Sequence, residues 1–194
     1  MGRDELTPFF RTPAQGRVLA AVLLAGPEER LTLTEIGRRA QVPSSTAHRE
    51  INRLERYGIV ASERFAQARL VRPNERSPYL DDLRSLVLKA YGPATVLGGL
   101  LASLKGIEAA YVFGSWAARL AGETGPPPGD IDLLVVGNPD PAGLDAVVQE
   151  AEAALGREVQ PTVVSPSEWE SADSPLLRTI KGRPLVLLAP NSDA

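Results

Sequence analysis

GSWAARLAGETGPPPGDIDLLVVG, residues 114–137, decides how the second half of this chain is read. It follows the apolar run Tyr111-Val112-Phe113, turns at Gly114-Ser115, crosses a Gly/Pro loop and enters a second apolar run through Asp130 and Asp132. Side chains alternate along a strand, so Asp130 and Asp132 share one side while Ile131 points into the core. Two carboxylates on one side repel each other unless something positive joins them. A divalent cation is the natural partner, and hard oxygen ligands with few protein contacts and room for phosphates suit Mg²⁺. At the other end of the stretch, a strand ends, a glycine turns and a helix begins near Trp116. Free N–H groups there can hold phosphate, Gly114 permits close backbone approach, and Ser115 can donate its hydroxyl. The two half-sites become adjacent if strands 108–113 and 131–136 pair. The Pro/Gly loop frees the strand end, where open α/β sheets bind ligands.

Outward from this stretch, helices and strands alternate. A helix over 94–105 precedes strand 108–113. Residues 141–156 have a helical pattern, 157–165 (REVQPTVVS) form a strand despite Pro161, 165–182 are helical in pieces, and 184–188 form a last strand. The alternation makes this part α/β. Trp116 and Trp169 read as packing residues, and Lys181 and Arg183 as surface charges at a helix end rather than phosphate ligands.

The first part has a different pattern. Thr12 caps and Pro13 opens a helix over 13–25. Thr32 or Thr34 opens a short helix through Ala40, Gln41-Val42-Pro43 turns tightly, and Ser44 caps a third helix that ends near Tyr57 at Gly58. IVASERF and ARLVRP alternate around a short Ala-Gln turn, as a hairpin does. Ile36, Ala40, Val42, Ala47, Ile51 and Leu54 are spaced to pack two helices across a sharp turn. YLDDLRSLVLKAYG, 79–92, is an amphipathic helix after a linker-like break.

The stretch LTEIGRRAQVPSSTAHREINRLERYGIV followed by the hairpin resembles the winged helix-turn-helix of bacterial regulators over residues 13–76. The resemblance implies that the helix 46–57 reads double-stranded DNA in the major groove. Its outward residues are then Ser44, Ser45, Thr46, His48, Arg49, Asn52 and Arg53. Arginine can pair with guanine and asparagine with adenine, while Arg64, Arg69 and Arg72 on the hairpin hold phosphates. His48 is the only histidine and there is no cysteine, which argues against zinc.

FGSWAAR and GDIDLLVVG, in their order on neighbouring strands, resemble the polymerase-beta superfamily of nucleotidyltransferases in its minimal form, over about residues 94–188. The resemblance implies that Asp130 and Asp132 are the catalytic, Mg²⁺-binding pair and that Gly114 and Ser115 hold the phosphates of a nucleoside triphosphate. A nucleotidyl group then passes to a hydroxyl with release of pyrophosphate. The acceptor stays open among a protein, a nucleic-acid end and a small molecule. Members of this group occur in toxin–antitoxin pairs, which makes a partner protein one option. Two features depart from that pattern. The loop between Ser115 and Asp130 is long, and Gln160 or Thr162 stands where the superfamily places a third carboxylate. Glu158 lies on the same side as Gln160 but about 7 Å along the strand. An amide or hydroxyl is no base, so nucleotide sensing without turnover is the alternative to catalysis.

Composition fits two modules. The net charge is −3, yet residues 1–76 carry 13 Arg against 9 acidic residues, while 77–194 carry 8 Lys and Arg against 15 acidic residues. A basic and an acidic part suggest different partners. The absence of cysteine excludes disulfides and thiolate metal sites. No apolar run approaches the roughly 18 residues a membrane span needs, and MGRDELTPFFRTP has no apolar signal core. The expectation is therefore a bacterial, cytoplasmic, α+β protein of two domains. These are a winged helix-turn-helix over 1–76 and a minimal nucleotidyltransferase-like domain with a mixed sheet over 94–194. The helix in 77–93 links them and pairs with its copy in a homodimer.

Overall fold

The structure is a computed structural model and describes residues 10–26 and 28–188. Most of the N-terminal segment read for a signal core, residues 1–9, lies outside the described residues. The chain divides into two compact units after Gly92, each described by itself.

The first unit opens with α1, Pro13–Leu23, capped by Thr12, whose Oγ1 accepts from the Gln15 N–H at 3.2 Å. A two-residue strand, β1 (Leu31–Thr32), leads into α2, Leu33–Arg39. Thr32 and Glu35 close a capping box there. Glu35 N–H donates to Thr32 Oγ1, while the Glu35 carboxylate accepts from the Thr32 N–H and hydroxyl at 2.8 and 2.7 Å. These bonds hold the Glu35 carboxyl below its ordinary range. The turn passes through Gln41 at φ 51 and leads to α3, Ser44–Arg56. Ser44 does not cap α3: Pro43 occupies the cap position, and no side chain bonds to the helix start. The hairpin strands β2 (Val60–Phe65) and β3 (Ala68–Pro73) pair antiparallel across the Ala66-Gln67 turn. β1 adds to β3, so the sheet order is β1-β3-β2.

The expected helix–helix contact is present: Ile36, Ala40, Ala47, Ile51 and Leu54 are buried in one core with Val18, Leu19, Val22 and Leu23 of α1. Each fully buried large aliphatic contributes about 1.5–3 kcal/mol. Ala40 and Ala47 are small where α2 and α3 meet. The amphipathic helix α4, Leu80–Tyr91, is not left bare as a link. Leu80, Val87 and Ala90 belong to the same core, with Leu83, Leu86 and Tyr91 packed against it.

The second unit runs α5 (Pro93–Leu101), β4 (Ile107–Phe113), α6 (Gly114–Leu120), β5 (Asp130–Gly137), α7 (Pro141–Leu155), β6 (Glu158–Val164), α8 (Pro166–Ser171), α9 (Pro175–Lys181) and β7 (Val186–Leu188). The sheet order is β6-β5-β4-β7. β5 runs parallel to β6 and antiparallel to β4, and β4 runs antiparallel to β7, so the sheet is mixed. β5 is central, and Leu133, Leu134, Val135 and Val136 are buried, which explains its unbroken apolar run. β6 lies at an edge of the sheet, where a strand tolerates a proline such as Pro161. Leu134 and Val136 pack with Leu177 and Ile180 of α9 and with Tyr111, Phe113 and Trp169. α7 starts at Asp140, which accepts from the Gly143 N–H at 2.8 Å.

Candidate functional site

Two clusters of chemistry stand out, one in each unit. In the first unit, Ser44, Ser45, His48 and Arg49 are exposed on α3, and Thr46, Asn52 and Arg53 are half-buried. The Arg49 side chain is 72% exposed and approaches Glu50 at 3.9 Å. Glu50 is buried and holds Arg53, whose Nε donates at 3.0 Å. Glu50 therefore anchors one arginine and leaves the other outward. A shallow concavity of about 460 Å³ is lined by Arg11, His48, Arg49, Glu50, Asn52, Arg53 and Arg56. Four arginines face one nearly buried carboxylate there, so the surface can attract anions. Arg11 and Arg56 join this surface without a motif of their own in the sequence. Arg56 continues the 49–53 spacing on the helix, but nothing in the local pattern connects Arg11 to α3.

On the wing, Arg64 and Arg72 are exposed. Arg69 is placed differently: its Nη1 lies 2.6 Å from Asn52 Oδ1, its Nη2 2.6 Å from Glu55 and its Nε 3.0 Å from Ser62 Oγ. Ser62 also donates to Glu55. Arg69 thus ties the wing to α3 instead of projecting toward solvent.

In the second unit, Phe113 pairs across the strands with Asp132, so the Gly114 turn and the aspartates are brought together as expected. Gly114 has φ +65, and a Cβ there would stand 2.1 Å from Asp132 Oδ2. The aspartate oxygen occupies a notch that only glycine leaves open. Asp132 is half-buried, and its carboxyl is pushed above its ordinary value, first by burial and then by the charge of Asp130. Asp130 opens β5 and is exposed, as is Ser115.

The parallel register pairs Asp130 with Glu158, Asp132 with Gln160 and Leu134 with Thr162. Gln160 is thus the neighbour of the buried carboxylate, Thr162 lies one step further along, and Glu158 stands beside Asp130. Among the described residues no group of three or more acidic or histidine side chains could hold a metal ion. The Asp130/Asp132 pair offers carboxylate oxygens, the ligand type that a hard cation takes.

The Pro/Gly loop is tethered. Arg157 Nε donates to Pro128 O at 2.9 Å, Arg157 Nη1 to Gly156 O at 3.1 Å, and Arg119 Nε to Pro126 O at 3.4 Å. Arg157 is buried and fixes the chain two residues before Asp130. Trp116 is buried, and Trp169 lies against Tyr111 with ring centroids 5.4 Å apart. Lys181 Nζ sits 4.6 Å over the Trp169 ring, a packing arrangement on the face covered by α9.

Residues 11–69 match the model of the MarR family. The matched stretch takes in α1, β1, α2, α3, β2 and the first residues of β3, so this part of the chain is similar to the winged-helix domain of that family. None of the curated proteins matches the chain. Among the described residues no helix is long and apolar enough to cross a membrane.

Proposed function

We propose that this chain is a DNA-binding transcriptional regulator whose second unit binds a Mg²⁺–nucleoside triphosphate without turning it over. The observation that carries the first half is the exposed face of α3, with Arg49 outward and Arg53 held by Glu50, in a domain that matches the MarR family. Arg49 contacts a guanine edge, and Arg64 and Arg72 contact phosphates. A homodimer in the cytoplasm, reading two half-sites, completes this reading. The second half rests on the notch at Gly114 that seats Asp132 beside Asp130. The aspartates hold the cation through their oxygens, and Ser115 with the Gly114 turn binds phosphate oxygens. The cation supplies charge neutralisation for both carboxylates. Gln160 beside Asp132 supplies neither charge nor base.

The test is retention of promoter DNA on a gel with and without Mg²⁺ and a non-hydrolysable nucleoside triphosphate, with pyrophosphate measured in parallel using the hydrolysable one. Salt-sensitive retention that nucleotide changes, without pyrophosphate, is the expected result. DNA binding indifferent to all four nucleotides refutes the sensing role.

A second reading, nucleotidyl transfer to a protein or nucleic-acid hydroxyl, is favoured by one observation: the preformed seat of Asp132. An acceptor oxygen then bonds to the α-phosphorus as pyrophosphate leaves. It requires Mg²⁺-dependent pyrophosphate release that disappears in Asp130→Asn.

A further inference from the structure

Asn52 lies on α3 and is gripped from the wing. A guanidinium carries donors only, so the Asn52 atom 2.6 Å from Arg69 Nη1 is the amide oxygen. This settles which end of the amide faces the wing. At the other end, Asn52 Nδ2 stands 3.4 Å from His48 Nδ1. An amide nitrogen only donates, so His48 Nδ1 takes the acceptor role in this contact and leaves Nε2 as the ring's donor. Arg69 is itself fixed by Glu55 and Ser62. The outer face of α3 therefore offers donors: Arg49, His48 Nε2–H and the second N–H of Asn52. Bidentate pairing of asparagine with adenine needs the amide oxygen to accept from N6 while the amide nitrogen donates to N7. Here that oxygen already accepts a charge-assisted bond, and the amide cannot flip without breaking it.

We propose that Arg69 is a positioning residue for base recognition: by engaging the Asn52 oxygen from the wing, it restricts Asn52 to donating, so that Asn52 reads a purine N7 without distinguishing adenine from guanine. The inference rests on the reading of α3 as the DNA-reading helix.

Selection of bound sequences from a random duplex library, with the full chain, tests it. The position read by Asn52 is the one whose preference disappears in Asn52→Ala. Wild type accepts both purines there, and Arg69→Ala, which frees the oxygen, favours adenine over guanine by about fivefold or more. Asn52→Asp keeps an acceptor for Arg69, and with it the wing contact, but cannot donate. It loses the purine preference and gains cytosine, whose N4 is a donor. If Arg69 were instead a phosphate contact, Arg69→Ala would weaken all sequences evenly, lower the salt slope by about one and leave base preference alone. That result overturns the proposal, and so does an unchanged preference in Asn52→Asp. A wild-type chain that enriches no sequence overturns the DNA-reading role and the proposal together. A wild-type site with unshifted variants overturns the proposal alone.

Discussion

Replacing Gly114 by alanine tests the notch that joins the two halves of the second unit's site. The backbone at Gly114 has φ +65, and the new Cβ would lie 2.1 Å from Asp132 Oδ2 and 3.0 Å from its Cγ. Two costs follow. The left-handed backbone costs an L-residue about 1–2 kcal/mol. Driving the Asp132 carboxylate out of its rotamer adds about 0.5–1.5 kcal/mol. Together they reach about 1.5–3.5 kcal/mol, or roughly 6–28 °C in melting temperature for a unit of this size. Gly122 is the control, with φ +101 and nothing within 4 Å of an added Cβ. Gly122→Ala carries the backbone cost alone.

Both tryptophans, Trp116 and Trp169, lie in the second unit, so tryptophan fluorescence follows its unfolding without interference from the first. The expected order of stability is wild type, then Gly122→Ala, then Gly114→Ala. Calorimetric titration with Mg²⁺ and a non-hydrolysable triphosphate should show Gly114→Ala weakened by about tenfold or more, a difference of about 1.4 kcal/mol, and Gly122→Ala unchanged. If Gly114→Ala melts with Gly122→Ala and titrates like wild type, the seat of Asp132 does not depend on the missing Cβ and the reasoning fails.

Three further outcomes follow from the same structure. The folded Asp132 carboxyl lies above its ordinary value of 3.8, so its ionised form is penalised by folding. That penalty is full above the folded pKa and fades as pH falls toward the unfolded value. Asp132→Asn is therefore more stable than wild type at neutral pH, with the gap closing in acid, and equal melting at pH 7 would contradict the burial argument. Glu35 shifts the other way, because Thr32 bonds favour its ionised form. Its stabilisation is present above the ordinary value of 4.5 and is lost as pH falls through the lower folded pKa. Thr32→Ala should cost about 1 kcal/mol at neutral pH in thermal melts followed by circular dichroism, and less in acid, and a pH-independent cost would count against the capping box. Arg49→Ala should weaken DNA binding and relax one base position by about 1–3 kcal/mol, as measured by anisotropy against a panel of single-base variants of a bound duplex.

Local patterns made much of this structure legible. Thr32 and Glu35 stand at capping-box spacing, and the alternation in 60–65 and 68–73 marks the hairpin before any partner is known. The stripe of α4 announces a buried face, but periodicity cannot name what covers it. The covering surface is α1, from the start of the chain. β1 is two residues long, too short for a period, and exists because β3 offers it an edge. Arg69 and Asn52 are 17 positions apart, so no local spacing shows their bond. Arg157 has the look of a surface charge at a helix–strand junction, and only the folded loop reveals the Pro128 carbonyl that it holds.

The register of β5 against β6 fixes which side chain stands beside each member of the aspartate pair. Neighbouring strands lie about 4.7–4.9 Å apart, so the side chain paired with Asp132 determines its immediate chemistry. That side chain is Gln160. Glu158 instead extends the acidic group at the exposed end, beside Asp130, where water screens it. The Asp132 carboxyl is raised by burial and by Asp130, two effects that a bound cation relieves at once. On the proposed reading, a cation held there would stabilise the second unit by an amount that rises with the logarithm of ligand concentration above its Kd. Deprotonating an acceptor hydroxyl would require a base on the opposite flank, and the amide of Gln160 cannot serve. On the proposed reading, β6 places an amide and not a proton acceptor beside Asp132, which suits a nucleotide sensor better than a transferase.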